Sequence, residues 1–214
     1  MIAKIFINKL NQLVTFNDNI CLIKVNDPLI YRNMFFDIEE NIVYSENNID
    51  FDFSSKGIII KNPLLLEVND KKIINALYKK LDNLIDEKLR ENLLSIEMNL
   101  MDFLDNLIMK VDVPVEFNNE LSTLKLFGLY QMSFKEYDGD NYLEYLLSYL
   151  KIMIEFLKIK VIVSFNLLNV LNSNEIEQFK KELKLLEINL LDISLTNSNK
   201  IISEYVVDEE WCVF

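Results

Sequence analysis

Asp112, Glu116 and Glu120 recur every four residues, with Asn118 and Asn119 among them. All five offer the hard oxygen donors that Ca²⁺ accepts. A solvated acidic loop has the same composition, and the segment lacks the alternating ligands and central glycine of an EF-hand. A second chemistry-bearing group is Lys71, Lys72, Lys79 and Lys80, a stretch that holds no acid. Lys72 and Lys79 are seven residues apart, so on a helix they share one face that can track phosphates or simply face water. Arg32 carries the same two readings, whereas the acidic run Asp208-Glu209-Glu210 could bind a metal or form a solvated turn next to Trp211.

Absences narrow the field further. The chain has no histidine among its 214 residues, which removes histidine triads, histidine-ligated zinc and histidine proton shuttles. Cys21 and Cys212 are the two cysteines, too few for a disulfide framework or zinc site and in keeping with a reducing cytosol. The formal charge of −12 opposes nonspecific adhesion to nucleic acid or anionic membrane, so a DNA-binding face must concentrate its lysines locally or recruit cations to mask carboxylates. The most apolar long region, 142–171, is interrupted by Glu144, Lys151, Glu155, Lys158 and Lys160 and is not a membrane span.

The elements that position these residues follow from periodicity. Residues 2–8 and 12–16 alternate apolar and polar around a turn and predict an antiparallel hairpin. Residues 20–25 predict a buried strand, followed by a helix capped by Asp27 with Pro28 at its first position. That strand-to-helix turn is where a phosphate loop would sit. It contains no glycine and no Lys-Ser/Thr pair, and Asp27 would repel a phosphate, so nucleotide binding of the P-loop kind is not expected. Short strands fill 41–61. Residues 69–110, without Gly or Pro, predict two helices or one bent helix whose length calls for a partner, hence oligomerisation. A short helix over 120–127, a strand over 129–134 and a helix over 142–157 capped by Asp140 come next. Residues 160–194 read as a parallel strand–helix–strand unit, and 201–207 with 211–214 as a terminal strand pair. The expected organisation is an α/β head from 1–65 and 151–214, interrupted by a mainly helical leg over 66–150.

In order and length these segments resemble the accessory spacer-acquisition protein of type II-A CRISPR systems, the Csn-two family. The resemblance rests on Leu22-Ile23-Lys24-Val25-Asn26-Asp27 with Tyr31-Arg32-Asn33, on Val111-Asp112-Val113-Pro114-Val115-Glu116, and on Leu124-Lys125-Leu126-Phe127-Gly128. Leu171-Asn172-Ser173-Asn174-Glu175-Ile176 and Val207-Asp208-Glu209-Glu210 complete it. It implies a degenerate P-loop-ATPase-like head without nucleotide, and a homotetrameric ring whose lysine-lined hole takes double-stranded DNA, preferentially at ends. It also implies Ca²⁺ held by carboxylates near the leg, a cytoplasmic non-enzymatic role, and work alongside integrase proteins and an RNA-guided nuclease. Asp112 and Glu116 match acidic positions of the family's metal segment; Arg32 and Lys125 match basic ones. Pro114 and Ser122 stand where other members carry carboxylates, which leaves a calcium site that is thinner, shifted to Glu120, or absent. Two other readings compete: a degenerate ATPase or metal-dependent nuclease using Asp112 or Asp192, and a scaffold whose helical arm binds only protein.

Overall fold

The computed structural model of the chain describes residues 3–16, 18–47, 49–117, 122–195 and 204–213. The chain divides into two compact units, a head of 1–68 with 136–214 and a leg of 69–135.

The head opens with β1 (Ala3–Ile7) and β2 (Gln12–Thr15), paired antiparallel with Ile5 opposite Val14. β3 (Ile20–Val25) is buried at every position but Lys24, as a strand covered on both faces must be. Asp27 and Pro28 then start α1 (Pro28–Asp37), whose inward positions Ile30 and Met34 are buried. β4 (Ile42–Glu46) and β5 (Ile49–Asp52) extend the hairpin into an antiparallel sheet of order β2-β1-β4-β5. One helical turn, α2 (Phe53–Lys56), leads into β6 (Gly57–Ile60).

The leg consists of α3 (Lys71–Asn83), α4 (Glu87–Ile108) and α5 (Thr123–Leu129). The chain returns to the head as α6 (Tyr142–Ile152), extended by a π-helical turn Met153–Leu157. β7 (Val161–Phe165), α7 (Ser173–Leu185) and β8 (Asn189–Leu195) form the expected parallel unit. β9 (Glu204–Val207) closes the described strands.

The parallel sheet runs β6-β7-β8-β3-β9. Numbered in chain order its strands read 2-3-4-1-5, so β3 sits between β8 and β9, in the place of the phosphate-loop strand of a P-loop ATPase. The head is therefore α/β, with a P-loop-ATPase-like topology. One sheet face buries Cys21, Ile23, Val163, Phe165, Leu191 and Ile193 in a core shared with α1 and the antiparallel sheet. By strand alternation Leu22, Ile162 and Leu190 point to the other face and are also buried. There α7 packs on β8 and α6. Phe179 and Leu183 are fully buried on α7, each contributing about 2 kcal/mol of apolar transfer.

Four local expectations change. No strand forms over 129–134, and α5 runs through Gly128 instead of ending before it. Gly128 lies at the exposed end of a helix capped by Ser122, and Leu129 and Tyr130 after it are solvent-facing, with no buried face for a strand to use. Asn141, not Asp140, caps α6, accepting from Leu143 N and Glu144 N. The terminal segment enters the parallel sheet beside β3, and among the described residues only Val207 and Val213 bridge antiparallel there. The head also reclaims 136–150, because Leu143, Leu146 and Leu150 are buried and the Tyr145 hydroxyl donates to Leu66 O at 2.9 Å. The Tyr142 hydroxyl donates to Pro63 O, and Leu66 N donates back to the Tyr145 hydroxyl.

Candidate functional site

Two regions carry the residues that chemistry could use: the strand-end crevice of the head, and the helices and acidic connector of the leg.

In the crevice, the Asp27 carboxylate accepts from Leu29 N at 2.7 Å and Ile30 N at 2.8 Å. These are the amides a phosphate would need at this helix start, and the chain's own anion occupies them. Across the crevice, Asn166 adopts a left-handed φ of 60° at the end of β7. Its Nδ2 donates to the Tyr31 hydroxyl at 2.6 Å, and the Tyr31 ring meets Phe165 edge-on. Burial pushes the Tyr31 hydroxyl above its ordinary range, with the Asp192 charge adding to the effect and the Asn166 bond opposing it.

Asp192 is the one acid fully out of water among the described residues. Its carboxylate accepts from Ser164 Oγ at 2.6 Å and from the backbone N–H of Leu167 and Leu168, each at 3.0 Å. Burial raises its pKa from 3.8 to about 6, against the lowering effect of the bonds from Ser164, Leu168 and Leu167. The carboxylate thus caps, from a neighbouring strand, the tight turn Leu167–Asn169 that leads into α7. Asp192 stands here as a staple of the β7–α7 turn.

The leg is built from caps and aromatic contacts. Asp70 caps α3 by accepting from Ile73 N at 2.9 Å, and Asp86 caps α4 through Leu89 N at 2.8 Å. α3 and α5 join through the Tyr78 hydroxyl, which donates to Phe127 O at 3.2 Å, and through Thr123, which donates to Asp82. At the leg's base the Asn69 amide pairs with the Phe134 backbone, donating at 3.0 Å and accepting at 2.8 Å. Lys72 and Lys79 lie exposed on α3, seven residues or about two turns apart, and Lys125 is exposed on the adjoining α5. Arg32 is exposed on α1, in the head.

Asp112 and Glu116 are exposed on a connector that is not helical, so their spacing of four does not align them on one face. Glu120, with Asn118 and Asn119, lies outside the described residues. Among the described residues no group of three His, Cys, Asp or Glu converges. Two exposed carboxylates on an irregular segment suit Ca²⁺, which takes roughly six to eight oxygens, when carbonyls and water complete the shell. Sequence reasoning missed Asp105, which lines a cavity with Glu116. Its signal was the helical repeat Met101, Asp105, Ile108 on α4.

A model of the CRISPR-associated Csn2 family (Cas_Csn2) matches residues 34–211. The chain belongs to that family. The match spans both units, from α1 in the head through the whole leg and back to the turn after β9. A CRISPR-associated role follows from membership. No curated protein matches the chain. A solved structure described as a putative ABC transporter ATP-binding protein from Pyrococcus furiosus is similar at 10% identity, over 96% of this chain and 97% of that one, with a TM-score of 0.40. No helix among the described residues is long and apolar enough to cross a membrane.

Proposed function

We propose that this Csn2-family chain is a non-catalytic, ring-forming binder of double-stranded DNA ends that serves spacer acquisition with the integrase proteins and RNA-guided nuclease of its system. The observation that carries the reading is the exposure of Lys72, Lys79 and Lys125 on adjoining helices of the leg. Contacts from these lysines and Arg32 to phosphates would make binding salt-dependent and indifferent to sequence. The Asp27 carboxylate in the phosphate-loop position supports a member that does without nucleotide.

Self-assembly is supported by α4. None of its 22 residues is buried, although Leu89, Ile96, Leu100, Phe103 and Leu107 form one helical stripe, each 44% exposed or more. We assign this stripe to contact with other copies in a homotetramer. Ca²⁺ at Asp112, Glu116 and Glu120 would offset carboxylate repulsion as copies come together.

The test is light scattering with and without Ca²⁺, then gel shifts on linear and circular DNA across a salt series. A tetramer that shifts linear DNA, more weakly as salt rises, is expected. A monomer indifferent to Ca²⁺ and DNA, or binding that ignores salt, overturns the proposal.

A further inference from the structure

α4 has a second apolar flank, about 100–160° around the helix from the leucine stripe. Met101, Asp105 and Ile108 lie on it, and the connector returns along it. Together with Val115, Glu116 and Phe117 they line a cavity of about 310 Å³, the size of the smallest ligand pockets. Four walls are apolar, two are carboxylates, and among the described residues no basic one lines it. The wider field has the same sign: between Glu91 and Glu116 there are six acids and one base, Lys110.

Three occupants can be weighed against this chemistry. A second copy offering the same flank would bring acids against acids. A divalent cation held by the connector carboxylates would engage Glu116 but leave the four apolar walls Met101, Ile108, Val115 and Phe117 uncovered. A lysine or arginine has an apolar stem and a cationic head, which match the walls and the rim. Methionines at Met101 on the wall, with Met98 and Met109 exposed on the same helix and just past its end, supply the adaptable surface used to grip amphipathic helices. We infer that the groove between α4 and the acidic connector is a docking site for a basic amphipathic segment of a protein partner, with Asp105 and Glu116 receiving its lysine or arginine anchors. This goes beyond DNA binding and does not depend on it.

The experiment is fluorescence anisotropy of a labelled synthetic helix peptide with leucine and lysine at helical spacing, titrated with the full chain in EDTA. Saturable binding is expected, with the glutamate-for-lysine peptide at least about tenfold weaker. Asp105→Lys should weaken the basic peptide by about tenfold, a single close charge pair. Glu91→Lys makes the same change in net charge on α4 but lies fourteen residues, about 21 Å, from Asp105, well beyond the screening length, and should cost less than about twofold at physiological salt. If Asp105→Lys loses helicity by circular dichroism, Glu116→Lys on the connector repeats the comparison. Equal binding of the two peptides, or equal effects of Asp105→Lys and Glu91→Lys, overturns the inference. So does a change of oligomeric mass by light scattering on Asp105→Lys, which gives the groove to a second copy.

Discussion

Asp192 makes the head's stability fall as pH rises. Its carboxyl titrates near 3.8 in the unfolded chain and near 6 in the folded one. Between those values the native state holds a proton that the unfolded state has lost, so the group's contribution is fully present below about 3.8 and is lost as pH climbs through about 6. A shift of about two units corresponds to about 3 kcal/mol. Roughly half of that falls between pH 5 and 7.5, a range clear of the isoelectric point near 4.6. The perturbation is Asp192→Asn, which removes the charge but keeps one oxygen for Ser164 Oγ and Leu167 N. Its amide nitrogen would oppose Leu168 N–H, the donor now facing Oδ2, at a cost of about 1–3 kcal/mol. Urea unfolding of both proteins at several pH values isolates the term, because every other group cancels in the difference. The stability of the native protein minus that of the variant should fall by roughly 1.5 kcal/mol from pH 5 to 7.5. A flat difference would refute the raised titration. A rising one would mean that the three hydrogen bonds outweigh burial.

Other consequences are equally direct. Asp27→Ala removes both bonds to the start of α1 and should lower stability by about 1 kcal/mol, read in a urea midpoint. Paired Lys72→Glu and Lys79→Glu substitutions should weaken linear DNA in gel shifts at all sequences alike and reduce the salt slope by about two; an unchanged slope would remove these lysines from the interface. Gly57 is in extended backbone, but an added Cβ would run into the Phe53 ring. Gly57→Ala should therefore cost about 1–3 kcal/mol by thermal melting, and a neutral result would mean that Phe53 can move aside.

Much of the head was legible before any coordinates. The Asp27-Pro28 cap, the glycine-free turn after β3 and the apolar runs of β7 and β8 are local signals, set by side-chain chemistry within a few residues. So is the stripe of α4, whose lack of burial agrees with an arm that needs a partner. The candidate site was less legible. Lys72 and Lys79 share a helix face as expected, but the four-residue repeat of Asp112 and Glu116 loses its meaning on a non-helical segment. Asp140 and Asn141 are equally good caps by type, and it is Asn141, in extended backbone, whose side chain meets the first amides of α6. The segment 142–150 looked like leg because it follows the connector. Its membership of the head is decided by Tyr142 and Tyr145, which reach carbonyls and an amide 79 residues earlier in the chain.

By itself, then, the order of residues determined most element types, the missing phosphate loop, the absence of histidine chemistry and the resemblance that family membership bore out. Each depends on composition or on spacing within one element. Tertiary structure alone decided that β9 lies parallel to β3 instead of forming a terminal pair, since strand neighbours are chosen by which edge remains open. It alone put the Asp192 carboxylate beneath the turn after β7, across a strand pairing that brings Ser164 opposite Asp192. And it alone set Asp105 and Glu116 along one groove, because the connector folds back on α4. These three are relations between distant segments, and they are settled by which surfaces bury each other.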